Sequence, residues 1–145
     1  MIGLIQRVTH ASVCVDNAVC GEINQGIMLL LGIQHEDDPS HADRLLEKIL
    51  NYRIFADSAG KMNLSLRDIN GGLLIVSQFT LAADTKKGLR PSFTSAAAPQ
   101  YAEELYNHFT ARAKSIHPDT QCGIFAADMQ VSLCNDGPVT FSLES

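Results

Sequence analysis

Two short stretches of this 145-residue chain combine chemically capable groups with positions that would present them. Ser77-Gln78-Phe79-Thr80 brings two hydroxyls, an amide and an aromatic ring directly after the apolar run Leu73-Leu74-Ile75-Val76. A hydroxyl becomes a nucleophile when a base takes its proton, and backbone N–H groups at a turn can hold an oxyanion. On pattern alone the same residues also read as the polar exit of a strand. Gly137-Pro138, within Asn135-Asp136-Gly137-Pro138, is either an ordinary turn or a deliberate backbone feature. Composition leaves its isomer open, because only about 5–6% of X-Pro bonds in folded proteins are cis.

Other constellations carry less. His35-Glu36-Asp37-Asp38, with His41 nearby, is richest in possible metal ligands. It falls on a strand-to-helix connection, where helix capping and the helix dipole already account for acidic residues, so no metal is assigned. His10, His35, His41, His108 and His117 are scattered, none in a triad context, and there is no G-x-S-x-G, H-E-x-x-H, Walker loop or G-x-G-x-x-G. Cys14, Cys20, Cys122 and Cys134 form no C-x-x-C pair and read as reduced, buried thiols. No cofactor is expected. Lys86, Lys87 and Arg90 are the one dense basic cluster and read as a solvated loop.

Strand patterning opens the chain, with Leu4 to Val8 followed by alternating Ala11, Val13 and Val15. Asp16-Asn17 signals a turn into a returning strand over Val19 to Ile23, and Ile27 to Ile33 reads as a strand buried on both faces. Asp38 is a candidate N-cap and Pro39 suits the first helical position. Ala42, Leu45, Leu46, Ile49 and Leu50 then recur on one helical stripe. Tyr52 to Phe55 and Leu73 to Val76 read as strands. A second helix starts near Pro99, gathers Ala102, Leu105, Tyr106, Phe109, Ala113 and Ile116 on one side, and stops at His117-Pro118. In the tail, Ile124 to Leu133 reads as a strand, Asn135 to Pro138 breaks it, and Val139 to Leu143 resumes. Two helices cannot cover both faces of so many strands. The expected architecture is therefore mixed α/β in one domain spanning 1–145, with two packed sheet layers and the helices together on one outer face.

Composition narrows the class. With 46% hydrophobic and 19% charged residues the chain can bury a core. Its longest apolar run, Ile27 to Ile33, is far short of the roughly 20 residues of a membrane span, and Met1 to Arg7 does not resemble a signal peptide. These features point to a soluble cytoplasmic protein with no membrane partner. The formal net charge of −5 argues against wrapping DNA or any long nucleic acid by its phosphates, but leaves room for contact with one RNA end.

The chain closely resembles the D-aminoacyl-tRNA deacylases. The resemblance runs in order through Ile5-Gln6-Arg7-Val8, Tyr52-Arg53-Ile54-Phe55 and Gly60-Lys61-Met62-Asn63. It continues through Ser77 to Asp84, Arg90-Pro91-Ser92-Phe93, Phe125 to Val131, and Asn135 to Thr140. Blocks this numerous and in register are specific where any one alone would be weak.

The resemblance implies a homodimer with a β/β/α layered fold and an active site at its interface. The substrate would be a tRNA whose terminal adenosine carries a D-amino acid, or glycine, by an ester bond. It implies that Ser77, Gln78, Phe79 and Thr80 form the catalytic segment, and that Gly137-Pro138, as a Gly-cisPro motif, reaches into the partner's pocket. Arg7 would lie beside that motif, and Met129 and Ala102 in the pocket wall. A rigid main-chain surface near the substrate Cα would accept hydrogen bonds from the ammonium of a D-amino acid and exclude an L side chain. An aminoacyl ester is already activated, so turn amides and the substrate's ribose 2′-hydroxyl suffice for the chemistry in this reading, with Thr80 as rival nucleophile. A non-catalytic dimeric module that binds the aminoacylated tRNA end is the alternative of different class.

Overall fold

A 14-residue strand, β1 (Ile2–Val15), ties the whole computed structural model together; residues 1–86 and 88–145 are described, so Lys87 of the basic cluster lies outside them. One edge of β1 pairs antiparallel with β8 (Gln130–Glu144) along most of its length. Its other edge is shared: β3 (Gly26–Gly32) takes Ile2 to Val8, and β2 (Ala18–Ile23) takes Ala11 to Val15. The β1–β2 hairpin closes through Asp16 and Asn17, both at positive φ (49° and 63°), where the short polar side chains favoured by such turns belong.

From β3 the sheet continues with parallel strands, β6 (Gly72–Ser77) and then β7 (Thr120–Cys122). Parallel neighbours need crossovers, and helices supply them: α1 (Pro39–Asn51) between β3 and β6, and α3 (Pro99–Ile116) between β6 and β7. Along the first crossover lie a two-stranded ribbon, β4 (Phe55–Ala56) with β5 (Met62–Leu64), and a one-turn helix α2 (Leu66–Ile69). Asp38 caps α1 by accepting the His41 N–H at 3.0 Å, Pro39 occupies its first turn, and the expected stripe from Ala42 to Leu50 is buried.

Alternation in the central strands builds two cores on opposite faces. Ile27, Leu29 and Leu31 of β3 and Leu73 and Ile75 of β6 pack beneath both long helices. Met28, Leu74 and Val76 point the other way, joining Val8, Ala11, Val13 and Ile23. β2 folds across β6 and β7; a β-carbon on Gly21 would lie 3.2 Å from both Leu74 and the Cys122 carbonyl. The two expected layers are thus one nearly closed sheet, folded over because β1 is long enough to belong to both halves. Register shifts at Val13/Cys14 and around Val8 supply the bend. The helices share one outer face, as expected.

Three local expectations are corrected. The tail strand begins at Gln130 rather than Ile124, and the irregular segment before it places Ala126 at φ 59°. Tyr52 to Phe55 is mostly irregular, with only Phe55 entering β4. Asn135 to Pro138 does not break β8. Asn135 pairs with Val8 and Thr140 with Gln6, so four residues oppose the single Arg7 and the strand bulges and continues. Continuous pairing with β1 on both sides of the bulge holds the direction that a turn would have reversed.

Candidate active site

Ser77 ends β6 beside Leu31 of the parallel β3, and the Gln78 N–H donates to the Leu31 carbonyl at 2.8 Å. The chain then coils into a short 3-10 helix, Phe79–Ala82, at the carboxyl ends of two parallel strands, the edge where open α/β sheets hold ligands. Gly32 makes this seat possible, because a β-carbon there would come within 2.8 Å of Leu81.

These residues border a cavity of about 490 Å³, within the range of small-molecule sites. Ser77, Gln78 and Phe79 form one side, Ala102 of α3 and Met129 another. Ala96 and Ala97 reach the rim because their segment is sewn to the end of β3: Ala97 N–H donates to Ile33 O at 3.1 Å and His35 N–H to Ser95 O at 3.1 Å. Phe125, Ala126 and Ala127 complete the wall. Behind Phe125, whose ring centroid lies 5.6 Å from its own, the Tyr106 hydroxyl shares its one proton between the Ile75 and Gly123 carbonyls at 3.2 and 3.1 Å. Burial, and to a lesser degree the neighbouring Cys122 and Cys20, pushes this phenol above its ordinary range, so it stays a donor.

Among the described residues, no side chain lining the cavity is titratable. The walls are small or apolar, with Ser77 and Gln78 as polar side chains and Phe79 and Phe125 as flat aromatic surfaces. Phe79 is 62% exposed and meets Phe93 in a tilted ring contact, centroids 5.1 Å apart. The Gln78 amide is already spent on Leu31, so the free turn donors are the Phe79 and Thr80 N–H groups, which have no acceptor among the described residues. First N–H groups of a helical turn are left unpaired by geometry. Thr80 stands outside the lining, and its hydroxyl accepts the Gln78 side-chain N–H at 2.7 Å, a partner that cannot take a proton.

Arg7, Gly137 and Pro138 form a second group that does not line this cavity in the same chain. The Arg7 Nε–H donates to the Asp136 carbonyl at 3.0 Å and lies 3.2 Å from its carboxylate, and Nη1–H donates to Ile54 O at 2.6 Å. This pins the bulge against β1. The Gly137-Pro138 peptide is cis and exposed.

Not singled out from the sequence were Val76, Ala96, Ala97, Pro99, Phe125, Ala126, Ala127 and Val131 as lining residues. The Phe125 to Val131 block carried a signal in the resemblance, whereas Ala96 and Ala97 carried none. Among the described residues, no group of three or more His, Cys, Asp or Glu side chains converges to hold a metal ion.

Residues 4–144 match the sequence model of the family described as D-Tyr-tRNA(Tyr) deacylase. The chain is 61% identical over 145 residues to the D-aminoacyl-tRNA deacylase of Stutzerimonas stutzeri (strain A1501), covering 100% of both chains. It is 64% identical over 143 residues to that of Pseudoalteromonas translucida (strain TAC 125), covering 99% of each. The solved structure titled c-Myc DNA Unwinding Element Binding Protein superposes with a TM-score of 0.95 at 41% identity, over 100% of this chain and 99% of that one. A probable eukaryotic D-amino acid tRNA deacylase superposes at 0.86 with 14% identity over 98% of each, a likeness of fold. With a family match over nearly its whole length and full-length relatives above 60% identity, the chain belongs to the D-Tyr-tRNA(Tyr) deacylase family.

Proposed function

We propose that the protein hydrolyses the ester linking a D-amino acid to the terminal adenosine of tRNA, releasing free tRNA and the amino acid. The observation that carries this reading is the cavity itself, about 490 Å³ and lined by no titratable side chain among the described residues. Such a site suits a substrate that is already activated and brings its own polar group, and an aminoacyl ester beside a ribose 2′-hydroxyl is one. Water adds to the ester carbonyl, and the Phe79 and Thr80 N–H groups stabilise the oxyanion. The carbon–oxygen bond to the 3′ position then breaks, the electron pair going to that oxygen, which takes up the proton. The 2′-hydroxyl orients the water and relays the proton. Phe79 and Phe125 offer flat surfaces to the adenine, and Ser77 and Gln78 its polar contacts.

The active form is a homodimer in the cytoplasm, with each Gly137-Pro138 reaching into the partner's cavity to screen the substrate's Cα. Three features support the shared cavity. The motif is absent from its own chain's cavity, β8 pairs only with β1 among the described residues, and its remaining edge is the kind sheets cover with a partner. Main-chain carbonyls at the motif accept the substrate ammonium when the side chain points outward, and an L side chain meets the wall. Glycine, lacking a side chain, passes, so glycyl-tRNA is also cleaved.

Turnover with matched D-, L- and glycyl-tRNA tests the proposal. Catalytic protein should clear many equivalents of the D and glycyl esters and spare the L ester. Protection of the D ester would instead identify a binding module.

A further inference from the structure

Five of the cations of this acidic protein are engaged by its own body. Arg7 binds Asp136 and Ile54, Arg67 pairs with Glu47, Arg53 bonds Asn63, Arg44 bonds Ser40, and Lys48 bonds the Glu144 carbonyl. Lys86 and Arg90 are set apart by position rather than by lack of a partner, since among the described residues the heads of Lys61, Arg112 and Lys114 also have none. Both are exposed, and among the described residues neither cationic head has a hydrogen-bond or ion-pair partner.

Their placement is fixed at the base of the loop. Asp84 and Ser92 form an antiparallel bridge, with N–H···O distances of 2.8 and 3.1 Å in the two directions, and the Asp84 carboxylate accepts the Lys86 N–H at 2.9 Å. The residue after this bridge is Phe93, whose ring packs tilted against Phe79 at the cavity, centroids 5.1 Å apart. Arg90 is three residues from Phe93, so their Cα atoms lie within roughly 11 Å. Both cations therefore stand on a hairpin anchored to the mouth of the cavity.

We propose that Lys86 and Arg90 bind backbone phosphates of the single-stranded tRNA end as it leaves the cavity. This rests on the deacylase reading and extends it from the terminal nucleoside to the strand behind it. A net charge of −5 disfavours general attraction of a polyanion, so a local pair of uncommitted cations at the mouth supplies the electrostatic contact the substrate needs. Each neutralised phosphate on a single strand contributes a slope of roughly 0.7 to the dependence of log affinity on log salt.

The experiment compares hydrolysis of D-aminoacyl-tRNA with that of D-aminoacyl-adenosine, which carries no phosphate backbone. For K86A/R90A, the ratio of kcat/KM on tRNA to kcat/KM on the adenosine ester should fall about tenfold, mostly through KM. The salt dependence of KM on tRNA should flatten by a slope of about 1.4, two contacts at roughly 0.7 each. The K61A/K114A variant, with the same charge change on exposed residues elsewhere, should match the wild type. An unchanged ratio and salt slope in K86A/R90A, or equal losses in K61A/K114A, would overturn the hairpin's role while leaving the deacylase reading intact. A wild type inert toward both substrates would remove the deacylase reading and this one together.

Discussion

A β-carbon on Gly137 would lie 3.0 Å from Nη2 of Arg7 and 2.9 Å from Val139, so the guanidinium fills the space a larger residue at 137 would need. The φ of Gly137 is 124°, a conformation L residues rarely adopt. Gly137→Ala should therefore cost about 1–3 kcal/mol in strain and displace Arg7 from Asp136. The expected outcome is a lower Tm together with a loss of D-over-L selectivity, the latter persisting well below the variant's Tm. Unchanged selectivity in the folded variant would remove the motif from the specificity surface.

Thr80 and the substrate's ribose compete for the chemical role. The Thr80 hydroxyl is hydrogen-bonded to the Gln78 amide at 2.7 Å, with no base beside it among the described residues. Thr80→Ala should keep substantial activity. A substrate ending in 2′-deoxyadenosine, still esterified at the 3′ oxygen, should be cleaved about 10²–10⁴-fold more slowly. Single-turnover rates for the pair decide the matter, and the reverse pattern would make Thr80 the nucleophile.

If the cavity is completed by a second chain, activity must depend on association. Sedimentation at assay concentrations should find a dimer, and specific activity should fall on dilution through its dissociation range. A fully active monomer would refute the shared site.

Tyr106 packs behind Phe125 of the cavity wall and shares its one hydroxyl proton between two buried carbonyls. Tyr106→Phe keeps the ring against Phe125 but leaves the Gly123 carbonyl without that donor. The expected loss is about 1–2 kcal/mol, measured by urea unfolding.

Asp38 supplies a pH-dependent contribution. Hydrogen bonds from the Ser40 hydroxyl, then from the His41 N–H and side chain, hold its carboxyl well below the ordinary 3.8. A depressed folded-state pKa means the contribution is fully present above the ordinary value and is lost as pH falls through the folded one. Asp38→Asn retains a capping acceptor but does not titrate, so its stability should decline less steeply on acidification below about pH 4. Unfolding midpoints across an acid series would show the difference, and parallel curves would contradict it.

Much of this protein is local physics and was readable from residue order. The i, i+3, i+4 stripe from Ala42 to Leu50 and the Asp38-Pro39 start define α1 without reference to anything distant. The apolar run Ile27 to Ile33 announces a strand covered on both faces, and Asp16-Asn17 announces the hairpin between β1 and β2. The polar step from Val76 to Ser77 marks where β6 leaves the core. The run of family blocks marks that same edge as the expected site, and a cavity opens there.

Tertiary structure decided what depends on pairing between distant segments. Asn135 to Pro138 has the composition of a turn, yet it is a bulge, because Val8 and Gln6 hold β8 on both sides of Arg7. Ile124 to Leu133 looks half-alternating throughout, yet only Gln130 onward finds β1, and Phe125, Ala126, Ala127 and Met129 before it become cavity wall. Ala96 and Ala97 reach the site through hydrogen bonds to the end of β3, more than 60 positions earlier in the chain, which no local pattern encodes. The same holds for the division of labour among the turn amides. Gln78, Phe79 and Thr80 look equivalent in sequence, but only the fold brings Leu31 to the Gln78 N–H and leaves the other two free. Local propensity and periodicity thus set which segments are helix or strand. Which backbone donors are spent and which remain for a ligand is set by partners far away in the chain.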